Sequence, residues 1–444
     1  MVIETRKFIF HMFSCGLLFL ASLIGKDMQY SITAPQRIDD TVVLPASKSI
    51  SNRALIINAL GGGTCFPKNL SDCDDTEVIV RALRDMPYEI DIMASGTAMR
   101  FMTAYLAVTD SGEHILTGTE RMRHRPIGVL VEALRRLGAD ISYEGEEGYP
   151  PLRIRGKKLD GGTLEVPGNI SSQFISALLI AGPALRQGME LKLEESVISR
   201  PYIDLTLCTM RDFGAEVDWT GPDTIVVEPH PYSIVDYFIE NDWSAASYWY
   251  EMLSLCDDRD SVVNLTGLMD GSRQGDSVVR YLFSLLGVKT NFESREKGIP
   301  TTITLRRHPA SLPRLEYNFI YQPDLAQTFV VTCALLDIPF HFKGLDTLRI
   351  KETDRIEALK KEMRKLGYVV ESNSSNDLIW DGSRCEPMPH PVIDTYDDHR
   401  MAMTFAPAAH KFPGLIINNP SVVTKSYPTF WEHLRKAGYQ VQEV

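Results

Sequence analysis

Apolar positions along this chain fall at two spacings that take turns. Stretches with apolar residues three and four apart, as on a helix face, end on a glycine. A short alternation of apolar and polar residues follows, as in a half-buried strand. Residues 131–138, 207–214, 279–287, 361–367 and 431–438 close in this way, on Gly138, Gly214, Gly287, Gly367 and Gly438. Glycine is the preferred residue at a left-handed helix end. Residues 80–87 form a weaker sixth copy, with Pro87 where glycine is expected. The full copies recur at roughly 75 residues, too long for a solenoid unit and suited to a small α/β subdomain. Six copies divide into two groups of three. The pattern predicts an α/β protein with a first strand opening at Met28.

Upstream of that strand the pattern changes. Arg6 and Lys7 precede an apolar run from Phe8 to Ile24, interrupted by His11. A signal peptide or short anchor has this shape, but no clean small-x-small cleavage site accompanies it. The preferred reading is an extension, residues 1–27, that is no part of the fold.

Composition narrows the class. The 444 residues are 44% hydrophobic and 23% charged, as in ordinary globular proteins. A disordered chain, a collagen and a multi-span membrane protein are excluded. A net charge of -12 leaves no general basic footprint, so no nucleic-acid partner is expected. Local basic clusters can still hold small anions. The 7 cysteines are odd in number and scattered. Neither a disulfide framework nor a metal site is expected, and a reducing cytoplasm fits.

Candidate chemistry lies just ahead of predicted helices. Lys48, Ser49 and Arg53 follow a Pro-Ala-Ser turn, where Ser47 or Ser49 can cap a helix with Ile50, Ala54 and Ile57 on one face. Gly96 opens another helix. Arg121, Arg123 and Arg125 crowd before Pro126, which can start a helix. Ser171, Ser172 and Gln173 stand at a helix start, and Ser199 and Tyr202 flank Pro201. In the second half, Asp324 sits like a cap before the apolar stretch 325–336. Lys351 and Arg355, four apart, are expected to share a helix face beside Glu352. Asp397, Asp398, His399 and Arg400 precede a further helix, and Lys425 lies near the end. Each alone is equally a capped helix or a solvated charged loop. Together, helix N-termini turned toward a common cleft would make an anion trap. No Walker A loop, dinucleotide fingerprint or HExxH motif is present.

These segments, with Gln274–Asp276, strongly resemble the 5-enolpyruvylshikimate-3-phosphate synthase family of enolpyruvyl transferases, from about Met28 to the C-terminus. The resemblance implies two domains, each of three βαβαββ-like subdomains. It implies transfer of the enolpyruvyl group of phosphoenolpyruvate to the 5-hydroxyl of shikimate 3-phosphate, in a cytoplasmic monomer without cofactor or metal. It also implies competition by glyphosate at the phosphoenolpyruvate site. Shikimate 3-phosphate would be held by Lys48, Ser49, Arg53, Ser171, Ser172, Gln173, Ser199, Tyr202, Asp324 and Lys351. Phosphoenolpyruvate would be held by Lys48, Gly96, Arg125, Gln173, Arg355, Arg400 and Lys425. Asp324 would take the hydroxyl proton and Glu352 would protonate the vinyl carbon, with Lys48 between the substrates. Asp242 and His399 would support them.

Expected domain limits are 28–46 plus 242–444 for one domain and 47–241 for the other. Three departures stand out: Ala94 and Thr347 replace a usual asparagine, and the stretch between Arg53 and Gly96 is short. The related UDP-N-acetylglucosamine enolpyruvyl transferases usually carry a reactive cysteine in the loop matching 121–125, and none is there.

Overall fold

The computed structural model describes residues 28–444 apart from 311, 374 and 375. The apolar run 8–24 lies outside the described residues. Among these, no helix is long and apolar enough to cross a membrane.

Among the described residues five sheets share one design. Glu89–Asp91 runs parallel to Glu113–Thr117, which pairs antiparallel with Leu152–Arg155, and that strand with Asp140–Tyr143. Gly162–Pro167, Met189–Glu194, Thr224–Val227 and Val217–Trp219 repeat the order. So do Asp39–Val43, Val262–Leu268, Thr301–Arg307 and Val288–Phe292. Leu315–Asn318, Phe340–Lys343 and Leu378–Trp380 form a three-stranded version. In the last sheet Val392–Ile393 is parallel to Leu415–Asn418. The first strand of the fold, Gln29–Thr33, lies between Leu415–Asn418 and the final strand, Gln440–Glu443.

A parallel neighbour requires a crossover, which a helix supplies. Gly96–Val108, Ser172–Ala181, Trp243–Leu255, Ala326–Leu335 and His399–Phe405 are these helices. A second helix leads to the next strand of each unit: Gly128–Arg136, Arg200–Asp212, Val279–Leu285, Arg355–Lys365 and Phe430–Lys436. The five repeat glycines follow these second helices with φ between +83° and +97°. At Gly287 a Cβ would stand 2.8 Å from the His308 carbonyl oxygen, which leaves no room for a side chain. In the weak copy the helix Asp74–Asp85 ends on Met86, left-handed at φ +39°. The Pro87 ring fixes a negative φ, so the cap moves back one residue.

The sixth unit has no sheet of its own among the described residues. Its helices Lys48–Leu60 and Asp74–Asp85 are joined by residues 61–73, which supply one parallel bridge, Lys68 with Phe238. That joint opens on Gly61, Gly62 and Gly63 and has no alternating run from which to build strands.

Buried apolar side chains gather in two clusters. One draws on residues from Ala46 to Ile239, the other on Ile32 to Leu44 and Trp243 to Val441. The chain crosses between them twice, side by side. Ser47 N donates to Glu240 O, and Asp242 N to Pro45 O, each at 2.9 Å. Asn241 Nδ2 donates to Leu44 O at 2.8 Å and Thr266 O at 3.0 Å.

Three local expectations are corrected. Lys351 and Arg355 share no helix face, because the helix starts only at Arg355. Asp354 caps it, its carboxylate accepting from Glu357 N at 3.2 Å, and Lys351 ends the preceding 3-10 turn. Asp324 is no cap: it lies inside the 3-10 turn Pro323–Leu325 and its carboxylate is taken up by cations. Pro126 does not start its helix, which opens at Gly128 after Ile127.

Candidate active site

Each unit presents at least one helix N-terminus to one cleft between the two cores. Short hydroxyls set those N-termini. Ser47, Ser95 and Ser171 cap their helices, accepting from Ile50 N, Ala98 N and Gln173 N. Their free N–H groups and dipoles favour an anion.

The cleft brings together Lys48, Ser49, Arg53, Gly96, Arg125, Ser171, Ser172, Gln173, Ser199, Tyr202, Asp242, Asp324, Lys351, Glu352, Arg355, His399 and Arg400. Lys425 stands behind this wall, its Nζ 3.6 Å from Glu352 Oε1. Most of the sequence candidates thus fall in one place, although they come from both cores; Arg121, Arg123 and Asp397 do not line it, and Arg121 instead pairs with Asp397 at 3.7 Å near the surface.

Cations dominate one side. Arg53 is buried and donates to Thr206 Oγ1 at 2.7 Å, Ser49 O at 2.9 Å, and Ser176 Oγ and Tyr202 O at 3.2 Å. No carboxylate pairs with it among the described residues, and burial pushes its guanidinium down to about 10. Arg100, also buried, donates to Gly96 O at 2.9 Å and Pro126 O at 3.3 Å. Burial and neighbouring Arg125 bring it down to about 9. Two buried guanidiniums without acid partners are costly unless an anion joins them. Lys48 pairs with Asp75 at 3.0 Å. Burial works against its charge, but the nearby Asp75, Cys73 and Glu352 together outweigh it, and the ammonium is held above its usual range.

Acids meet on the opposite side. Asp324 faces Arg400 at 3.0 Å, Arg355 at 3.1 Å and Lys351 at 3.5 Å. Burial favours its neutral form, yet these cations hold it well below the carboxylate range. Glu352 accepts from Arg355 Nη2 at 2.9 Å. Burial again opposes its charge, and Lys425, Arg355 and Arg125 overcome that and keep it ionised. Arg355 also grips Asp398 at 2.7 Å. Arg400 Nη1 donates to Tyr248 OH at 3.2 Å. Among the described residues neither ring nitrogen of the buried His399 has a hydrogen-bond partner, Nδ1 standing 3.7 Å from Asp398 Oδ1; burial and the charges of Lys48 and Arg400 keep it neutral. Asp242 caps Trp243–Leu255 through Ser244 N at 2.7 Å, and burial raises its carboxyl. Gln173 Nε2 donates to Thr97 Oγ1 at 3.2 Å, which fixes the amide between two helix starts.

Sequence reasoning missed several contributors. Arg100 lay within the motif opening at Gly96, one helical turn on, and that spacing could have found it. Asp398 stood in a recognised segment without a role. Asp75 and Tyr248 carry no local signal, since each is brought in from a helix of unremarkable pattern. Thr347 lines the cleft with a buried Oγ1 that lacks a partner. Ala94 is not among the lining residues. Among the described residues no group of His, Cys, Asp and Glu could hold a metal.

The family model described as EPSP synthase (3-phosphoshikimate 1-carboxyvinyltransferase) matches residues 32–93 and 86–434. The chain belongs to this family. A 3-phosphoshikimate 1-carboxyvinyltransferase of Bacteroides fragilis is 54% identical over 415 residues, 94% of this chain and 99% of its own. One from Aliivibrio fischeri is 34% identical over 428 residues, 90% of this chain and 97% of its own. Among solved structures, EPSP synthase from Acinetobacter baumannii superposes with a TM-score of 0.74 at 21% identity, over 94% of this chain and 100% of that one. The enolpyruvyl transferase NikO from Streptomyces tendae gives 0.66 at 16%, over 94% and 99%. These two likenesses concern the fold.

Proposed function

We propose that this chain transfers the enolpyruvyl group of phosphoenolpyruvate to the 5-hydroxyl of shikimate 3-phosphate and releases phosphate. It thus serves chorismate and aromatic amino-acid biosynthesis. Family membership supports the reaction. The observation that carries the residue roles is the convergence of Asp324 and Glu352 on Arg355, at 3.1 and 2.9 Å, inside a cleft of cations.

Arg53, Ser171, Ser172, Ser199 and Tyr202 lie together and receive shikimate 3-phosphate, with Ser49 and Gln173 beside them and Lys351 and Asp324 on the ring hydroxyls. Lys48, Gly96, Arg125, Gln173, Arg355, Arg400 and Lys425 receive phosphoenolpyruvate. The bound anion draws Arg125, Arg355 and Lys425 away from Glu352, and its carboxyl then rises and takes a proton. In the addition step the 5-hydroxyl oxygen bonds to C2 of phosphoenolpyruvate. Its proton goes to Asp324, and Glu352 gives its proton to the methylene carbon. In elimination the methyl carbon returns a proton to Glu352 as the C2–O bond to phosphate breaks. Phosphate and carboxylate charges persist throughout, so the cation cage, with Lys48 between the substrates, supplies the main electrostatic stabilisation.

Two domains serve this cleft in the proposal, 28–46 plus 242–444 and 47–241, closing on the ligands. The protein acts as a cytoplasmic monomer with no nucleic-acid partner. Protein produced from Met28 and assayed for phosphate release with both substrates tests the reading. Release only when both are present is expected, and its absence overturns the proposal.

A further inference from the structure

Behind the shikimate side of the cleft lies a carboxyl group without a role in the steps above. Asp276 is 3% exposed. Its Oδ1 accepts from Tyr202 OH at 3.0 Å, and its Oδ2 accepts from Ser244 Oγ. Tyr202 and Ser244 line the cleft. Tyr202 belongs to the helix Arg200–Asp212 of one core, whereas Ser244 and Asp276 belong to the other.

We propose that Asp276 is a positioning residue: from behind the wall it fixes the hydroxyls of Tyr202 and Ser244 and, through Tyr202, locks the two cores in register around shikimate 3-phosphate. This rests on Tyr202 as a contact of that substrate. A carboxylate can accept from both hydroxyls at once, and charge-assisted bonds of this kind are roughly twice as strong as neutral ones. With its hydroxyl hydrogen turned to Asp276, Tyr202 presents its ring to the ligand in one orientation, and its oxygen can only accept, from a ring hydroxyl of shikimate 3-phosphate. Preorganisation of this sort spares the substrate the entropy of ordering the wall.

The arrangement is sensitive to protonation. Burial, and then the charge of Asp324, bring Asp276 up to about 6. The groups facing it are Tyr202, Ser244, Asp242, Asp324, Arg400 and, more distantly, Tyr317. Arg400 is the cation of the set and opposes the rise. Below that pH the group is neutral and can no longer accept from both hydroxyls with full charge. Asp276→Asn imitates this state at every pH while keeping the shape.

The test is kcat/KM for shikimate 3-phosphate from pH 5 to 8.5 in wild type, Asp276→Asn, Tyr202→Phe and the double variant. Wild type is expected to exceed Asp276→Asn by about tenfold at pH 8, and by less than twofold at pH 5. Titration of the substrate phosphate cancels in this ratio. KM for phosphoenolpyruvate should move less than about twofold, and the double variant should be no worse than the poorer single one. A ratio that is constant with pH, no advantage at pH 8, or additive losses would each overturn the inference. Should Asp276→Asn not fold, the wild-type advantage over Tyr202→Phe must shrink at acid pH in the same way, and a constant ratio overturns it again. If wild type itself shows no turnover, the proposed function fails and this inference falls with it. An active wild type with a flat ratio removes the inference alone.

Discussion

Asp324 lies 3.0 Å from the guanidinium of Arg400, the nearest of three cations around one carboxylate. A carboxylate held ionised can take a proton only in a transition state that supplies it. Asp324→Asn and Glu352→Gln are therefore expected to lower kcat by at least about a thousandfold, the scale of a lost general acid or base. Binding of shikimate 3-phosphate should weaken by less than about tenfold in the Glu352→Gln variant. Single-turnover phosphate release and titration calorimetry separate the two effects. Turnover near wild type removes that residue from the mechanism.

Gly96 leaves no space for a methyl group. A Cβ there would sit 2.7 Å from Arg100 Nη1 and 2.7 Å from Arg125 Nη1. Gly96→Ala is expected to push Arg125 aside and raise KM for phosphoenolpyruvate about tenfold, while KM for shikimate 3-phosphate changes less than about twofold. Glyphosate competition should weaken in the same variant. Steady-state kinetics with each substrate varied in turn check the split.

Among the described residues Arg53 has hydrogen bonds but no acid partner. Arg53→Met should cost the free protein little, because it removes a buried charge that no carboxylate balances. It should also raise KM for shikimate 3-phosphate at least about a hundredfold, since the bidentate fork is lost. The melting temperature with and without that ligand reads both effects. The ligand-induced rise seen in wild type should disappear.

How far the chain could be read from its residues differs from place to place. The helix–glycine–strand junctions were legible because a left-handed helix end has few alternatives to glycine, and Gly138 and its four counterparts occupy that conformation. The reduced sixth unit is foreshadowed by the short stretch between Arg53 and Gly96. Its missing sheet is not, because strand pairing depends on partners remote in sequence. The cleft residues were legible as segments, each of them beside a helix start. The four-residue spacing of Lys351 and Arg355 does not place them on one helix face, since the helix capped by Asp354 begins only at Arg355. The pairing of Lys48 with Asp75 had no local sign, because 27 residues of chain separate them.

Away from the cleft, His410 is half-buried with its Nε2 2.7 Å from Tyr439 OH, and burial brings it down to about 4. An unfolded chain binds a proton there near pH 6.5, well before the folded protein does. The stability this group contributes is thus complete above pH 6.5 and is lost as pH falls toward 4. Relative to His410→Gln, wild type should lose up to about 3 kcal/mol across that window. Urea unfolding at several pH values reads the difference, and parallel curves for the two proteins would contradict it.

The strand Gln29–Thr33 takes its place between Leu415–Asn418 and Gln440–Glu443. During synthesis, this strand leaves the ribosome long before the two that flank it and must wait for both before its sheet can close. The intervening cluster from Ala46 to Ile239 has all its members long before then. It can fold cotranslationally while the other waits. Ribosome stalling near residue 440 would therefore yield a particle with one finished lobe and one open edge, a natural target for chaperones.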